Sequence, residues 1–178
     1  MKTISTGFND LFLLDTASLG DVRGKFRKLF NFEFFALHGL ETEMKELYYS
    51  VSHKNVLRGM HYQLPPFDHA KLVYVSHGRI TDVVVDLRTR SATYGRYFSV
   101  ELDASDEQAL YIPRGFAHGF LSHEEGTVVH YAQTSCYSPV HDAGIAYDSF
   151  GFDWGIAFPI VSDRDRAFDK LENFHSPF

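Results

Sequence analysis

Between residues 47 and 134 the chain is a succession of short β-rich runs broken by turn residues, and this spacing constrains the fold more than any other feature. The expected strands are Leu47–Val51, Asn55–Tyr62, Ala70–His77, Ile80–Leu87, Tyr97–Leu102, Gln108–Ile112 and Thr127–Thr134. Breaks at Pro65-Pro66, His77-Gly78 and Pro113-Arg114-Gly115 suit hairpins and bends. Many short strands with no long helical pattern between them point to a sandwich or jelly roll rather than a βαβ sheet. An aromatic content of 16% fits, because flat rings pack on pleated surfaces and stack on ligand rings.

The flanks read differently. Gly24–Gly39 mixes strand and short-helix signals that periodicity does not separate. Asp163–Phe174 places Ala167, Phe168 and Leu171 at helical spacing, so a short C-terminal helix is expected there. With no low-complexity linker, repeat or composition shift, the expectation is one β-sandwich domain over residues 1–178 with small helical additions.

The net charge of −6 and the lack of any stretch dominated by Lys and Arg argue against a nucleic-acid partner. The one cysteine, Cys136, excludes an internal disulfide. No secretory signal is visible, and no run approaches the roughly 20 apolar residues that cross a bilayer. A cytoplasmic protein without a membrane partner is expected.

Three segments carry residues suited to chemistry. In Val56–Val73, His61 and Lys71 are equidistant from Pro66. If that proline centres a hairpin, they become cross-strand neighbours with Cβ atoms roughly 5 Å apart; an unrelated surface His and Lys is the plainer reading. In Leu110–Phe120, His118 follows a Pro/Gly bend, as a pocket residue or as a core histidine bonded to a carbonyl. In Val128–Pro139, Tyr131 and Tyr137 share a face of an unbroken strand but would lie roughly 20 Å apart. They serve one pocket only if the chain bends between them, and packing is the alternative role. Metal binding is disfavoured: there is no His-x-His, and Lys71 would repel a cation bound by His61, His69 and His118.

Taken together, D-V-R-G-K-F (Asp21–Phe26), V-L-R-G-M-H-Y-Q, H-A-K-L-V, D-V-V-V-D-L-R with S-A-T-Y-G, Y-I-P-R-G-F-A-H-G-F, Y-A-Q-T-S-C-Y-S-P, D-W and S-D-R-D resemble the dTDP-4-dehydrorhamnose 3,5-epimerase family, in matching order from about Asp15 to Arg166. The resemblance implies a mainly β cupin jelly-roll sandwich with short peripheral helices. It also implies a homodimer sharing an N-terminal segment between subunits, no metal or organic cofactor, and a nucleotide-diphosphate 4-keto sugar as substrate. The family's base falls on His61, its lysine on Lys71, its acid on Tyr131 and the aspartate paired with the base on Asp165. Arg23, Phe26, Arg58, Gln63, His118, Tyr137 and Arg164 match positions associated with the nucleotide sugar, and Asp142 stands where the family commonly has Glu.

Those residue types suit proton transfer beside a ketone. A neutral imidazole can remove the acidified proton, with a carboxylate fixing its tautomer. An ammonium can stabilise charge on the ketone oxygen, and a phenol on the opposite face can return a proton with inversion. Arginines can donate paired hydrogen bonds to a diphosphate. The chain departs from the family at substrate-facing positions: Lys28 replaces a common Glu, and Glu46-Leu47-Tyr48 replaces Gln-x-Asn. Reaction class is therefore expected more firmly than the nucleotide base or the sugar. The alternatives are a single-site epimerase or keto-sugar isomerase of the same fold, a non-catalytic sugar-nucleotide-binding cupin, and a metal-dependent cupin oxygenase.

Overall fold

The computed structural model describes residues 1–178, the side chain of Ala17 excepted. The strands are β1 (Lys2–Ser5), β2 (Phe12–Asp15), β3 (Ala17–Asp21), β4 (Gly24–Lys28), β5 (Glu46–Ser52), β6 (Leu57–Gln63), β7 (Lys71–His77), β8 (Arg79–Asp86), β9 (Tyr97–Asp103), β10 (Gln108–Ile112), β11 (Phe116–Ser122), β12 (Thr127–Gln133) and β13 (Asp142–Gly144). Helices α1 (Phe32–Leu37) and α2 (Asp163–Arg166) are short, and a 3-10 turn covers Leu171–Asn173.

The strands form a six-stranded sheet in the order β1-β2-β10-β7-β12-β5, a five-stranded sheet in the order β13-β6-β11-β8-β9, and a separate β3-β4 hairpin. Neighbours distant in sequence give the jelly-roll sandwich that the short runs imply. Between the two main sheets, Val73, Leu110, Ile112 and Val129 meet Ile80, Val84, Leu102 and Phe120, all essentially buried. Each such side chain contributes about 1.5–3 kcal/mol relative to exposure.

Both sheets are also covered outside, which is why strands such as T-D-V-V-V-D lack clean alternation. The outer face of the five-stranded sheet buries Met60, Tyr62, Val83 and Val85 under Trp154, Phe174 and Phe178. The outer face of the six-stranded sheet buries Leu72, Ala109 and Ala132 against Phe35 of α1. Asn31 caps α1, its side chain accepting the Phe34 N–H at 2.8 Å.

All seven expected strands form, six with at least one shifted end and Gln108–Ile112 matching at both. Asn55 belongs instead to the turn before β6, with φ of 65°. Strand β11 lies where only a bend and a pocket histidine were expected, because F-A-H-G-F-L-S is short of β-branched residues; burial at every position holds it as a strand. The C-terminal helix is shorter than its spacing implied. Ala167 caps α2, and Asp169 leaves helical bonding to accept the Ala146 N–H at 2.8 Å.

The Pro65-Pro66 hairpin is the main correction. β6 pairs with β11 and β13, whereas β7 pairs with β10 and β12, so the prolines carry the chain from one sheet to the other. His61 and Lys71 are not cross-strand neighbours. No helix is long and apolar enough to cross a membrane.

Candidate active site

Residues of both sheets line a cleft of roughly 380 Å³. Because successive strand residues point to opposite faces, β5 turns Glu46, Tyr48 and Ser50 into it, and β12 turns Tyr131 and Gln133. Lys71 begins β7 on the same wall. The facing wall is built by Arg58, His61 and Gln63 of β6 and His118 of β11. His61 and Lys71 thus reach one cleft from opposite sheets.

His61 is paired. Its Nε2 lies 2.8 Å from Asp165 Oδ1, so Nε2–H donates and Nδ1 keeps its lone pair. Asp165 is 104 residues away in sequence and is delivered by α2. The Ser162 side chain caps that helix by accepting the Asp165 N–H at 3.1 Å. The other Asp165 oxygen accepts the Gly59 N–H at 3.0 Å. Burial acts to raise the Asp165 carboxyl, but hydrogen bonds from His61 and Gly59 outweigh it and hold the group below the usual carboxylate range. The His61 ring also meets the edge of Phe168, with centroids 5.8 Å apart.

A second pair lies deeper. His118 Nε2 donates to Asp82 at 2.9 Å, and Asp82 is fully buried. Burial pushes the Lys71 ammonium down to about 8, although Asp142 and Asp82 act in the other direction. Burial, with the Lys71 charge second, pushes His69 down to about 3, so that ring is neutral near neutral pH.

Tyr131 lines the same cleft as His61, from the opposite sheet. Burial raises its hydroxyl above the usual phenol range, partly countered by a 3.2 Å hydrogen bond with Ser50. Strand β12 ends at Gln133 and the chain then turns, so Tyr131 and Tyr137 both border the cleft, which is the condition their spacing imposed. The Tyr137 hydroxyl donates to Asp142 at 3.1 Å, and Asp142 pairs with Arg164 at 2.7 Å. Arg58 donates to the Ser52 hydroxyl and the Val51 carbonyl, each at 3.1 Å, partners that leave its charge uncompensated. Gln63 is fixed by accepting the Ser138 N–H at 2.6 Å.

Eleven of the expected residues therefore line the cleft, with Asp165 behind His61: Glu46, Tyr48, Arg58, His61, Gln63, Lys71, His118, Tyr131, Tyr137, Asp142 and Arg164. Arg23, Phe26 and Lys28 do not. They belong to the β3–β4 hairpin, where Arg23 pairs with Asp21 and Phe26 is exposed. Ser50, Gln133 and Asp82 were missed. Alternation with Tyr48 and Tyr131 would have found the first two, and a carboxylate inside an apolar strand, which burial obliges to find a partner, signals the third. Among the described residues, no group of three or more His, Cys, Asp or Glu is arranged to hold a metal ion.

A family model described as dTDP-4-dehydrorhamnose 3,5-epimerase matches residues 5–173. The chain belongs to that family. Its Escherichia coli relative of that name is 38% identical, the match covering 97% of this chain and 95% of the relative. A solved dTDP-6-deoxy-D-glucose-3,5-epimerase from Legionella pneumophila, in complex with dTDP-4-keto-L-rhamnose, superposes with a TM-score of 0.92 at 31% identity, covering 98% and 94% of the two chains. A 3'-monoepimerase from Streptomyces bikiniensis in complex with dTDP-quinovose superposes with a TM-score of 0.88 at 30% identity, covering 97% and 88%. As a member of an epimerase family, the chain is an isomerase.

Proposed function

We propose that this chain epimerises a dTDP-linked 4-keto-6-deoxyhexose at the carbons flanking the ketone, in deoxysugar biosynthesis. One observation carries the reading: a carboxylate-paired imidazole and a buried phenol project into one cleft from opposite sheets. His61 Nδ1 takes the proton from a carbon beside the ketone. The C–H electron pair becomes the enolate, and the imidazolium is stabilised by Asp165. The Lys71 ammonium stabilises the enolate oxygen. Tyr131 donates its proton to the opposite face, forming the inverted C–H bond and a phenolate. The proton held by His61 returns to that phenolate through solvent, so the cycle closes without a net change.

Arg58 and Arg164 serve the diphosphate, since guanidinium forks match phosphate oxygens. His118 and Gln63 contact the sugar, and exposed Tyr137 stacks on the nucleotide base. With Glu46 and Tyr48 where the family has Gln and Asn, the base or the sugar configuration can differ from that of the relatives. Incubation with dTDP-4-keto-6-deoxyglucose in deuterated water tests the reaction. Inverted product carrying one deuterium at each epimerised carbon is expected, and Tyr131→Phe is expected to form it at least 100-fold more slowly. Product formation by Tyr131→Phe at the wild-type rate would remove the assignment. Deuterium at one carbon only would establish single-site epimerisation, the second reading, which the likeness to the 3'-monoepimerase favours.

The site is completed by a second copy of the chain. The β3–β4 hairpin holds Arg23, Phe26 and Lys28 away from the cleft of their own chain and exposes Leu19, Val22 and Phe26, which find no core here. The family resemblance, which implies an N-terminal segment shared between subunits, supports reading this hairpin as part of the partner's site. A sedimentation measurement is expected to show a dimer, and Phe26→Ala is expected to raise KM several-fold. A monomer with full activity excludes the shared site.

A further inference from the structure

The cleft-facing edge of β5 carries Glu46, Tyr48 and Ser50, and two of the three depart from the family pattern. Tyr48 stands directly opposite Tyr131 in the β5–β12 ladder. Their rings are stacked, with centroids 4.7 Å apart and planes 15° from parallel. Opposed residues of an antiparallel pair are close enough for such a contact, and aromatic pairs gain beyond the area they bury. Tyr48 is itself anchored. Its hydroxyl donates to Gln133 Oε1 at 3.2 Å, and Gln133 Nε2 donates to Glu46 Oε2 at 2.9 Å. The same Glu46 oxygen accepts the Tyr137 backbone N–H at 2.7 Å. Ser50, two residues along the same face, meets the Tyr131 hydroxyl at 3.2 Å. The ring of Tyr131 is thus braced by Tyr48 and its oxygen by Ser50.

We propose that Tyr48 is a positioning residue that holds Tyr131 on the line along which it protonates the enolate, and so sets how often an enolate is quenched with inversion rather than with retention. The inference rests on Tyr131 being the acid. Once His61 has removed the proton, two donors compete. The imidazolium can return a proton to the face it left, regenerating substrate, and this marks the substrate with deuterium if the imidazolium has exchanged with solvent. Tyr131 protonates the other face and gives product. The phenol oxygen lies at the far end of the side chain, where a small ring tilt moves it most, and misplacement by about 1 Å can cost 10²-fold. Loosening Tyr131 therefore penalises inversion without removing the group that makes the enolate.

The readout is the ratio of deuterated recovered substrate to inverted product from dTDP-4-keto-6-deoxyglucose in deuterated water. Tyr48→Ala is expected to raise the ratio about tenfold, towards the value for Tyr131→Phe. That tenfold corresponds to about 1.4 kcal/mol, the size of one stacked pair. Tyr48→Phe keeps the ring and is expected to stay within about twofold of wild type. Should Tyr48→Ala fail to fold, Tyr48→Asn carries the same expectation. A wild-type ratio in the Ala or Asn variant, with any defect confined to KM, overturns the positioning role and leaves Tyr48 a substrate contact. If Tyr131→Phe itself partitions like wild type, the acid assignment is what fails.

Discussion

His61→Asn is expected to lower turnover about 10³-fold, within the usual range for a general base, while the protein stays folded. Asparagine retains a side-chain N–H that can face Asp165, so the buried carboxylate keeps a donor and the loss of stability stays near 1 kcal/mol. Asp165→Asn is expected to act less severely, about 10²-fold, because it leaves the base in place but removes the charge that selects its tautomer. Exchange of substrate hydrogen for solvent deuterium, followed at saturating substrate, separates this from a binding defect: exchange and product formation both stay low in His61→Asn, since no enolate forms. An exchange rate near that of wild type in this variant would show that another group is the base. The pH profile of turnover adds a second mark. The Lys71 ammonium persists in the folded protein only up to about 8. A rate that depends on its charge is full below that value and declines as pH rises through it. Stability moves the other way. The unfolded chain holds the Lys71 proton up to about 10.5, so between about 8 and 10.5 it binds more protons than the folded chain, and rising pH favours folding through this group. Residual turnover of Lys71→Met is expected to lack the decline at 8; a decline that persists there belongs to another group.

The sequence carried the sandwich because its strands are marked by β-branched and aromatic runs, and it missed what those runs do not mark. Strand β11 lacks the β-branched residues that mark the others and is a strand because it pairs on both sides and is buried at every position. The meeting of His61 with Lys71 was expected from their distance to Pro66, and they do share a cleft, but through a jelly-roll crossover that local spacing cannot encode. Asp165 illustrates the same limit. Its partner is 104 residues away, and only the motif S-D-R-D, matched to a family, tied it to His61. Within that motif the physical signal is modest, a serine cap opening a four-residue helix. Arg23, Phe26 and Lys28 mark a different boundary: the family motif names them as site residues, but the β3–β4 hairpin holds them away from the cleft of their own chain.

Gly59→Ala is expected to cost about 3–5 kcal/mol, the largest effect on stability proposed for any single methyl group here. Gly59 has φ of +131°, and a Cβ there would lie 2.5 Å from the Gly119 Cα and 3.0 Å from the His118 carbonyl oxygen. Both obstacles are backbone, so no side-chain rotation relieves them. Gly119 is equally tight, a Cβ meeting the Arg58 carbonyl oxygen at 2.7 Å. The two glycines let β6 and β11 touch where their register shifts between His118 and Phe120. That contact sets His61 opposite His118 and aims the Gly59 N–H at Asp165. Separating the strands must therefore weaken the catalytic pair as well as the sandwich. Gly95→Ala is the control for backbone strain alone: its φ is +73°, with nothing within 4 Å of the added methyl, and a cost of about 1 kcal/mol is expected. In a chain of 178 residues each kcal/mol lowers Tm by roughly 2–4 °C, so Gly59→Ala should melt about 10 °C below wild type and several degrees below Gly95→Ala. Equal melting temperatures for the two variants would mean that the β6–β11 contact relaxes freely and does not hold the His61–Asp165 pair in place.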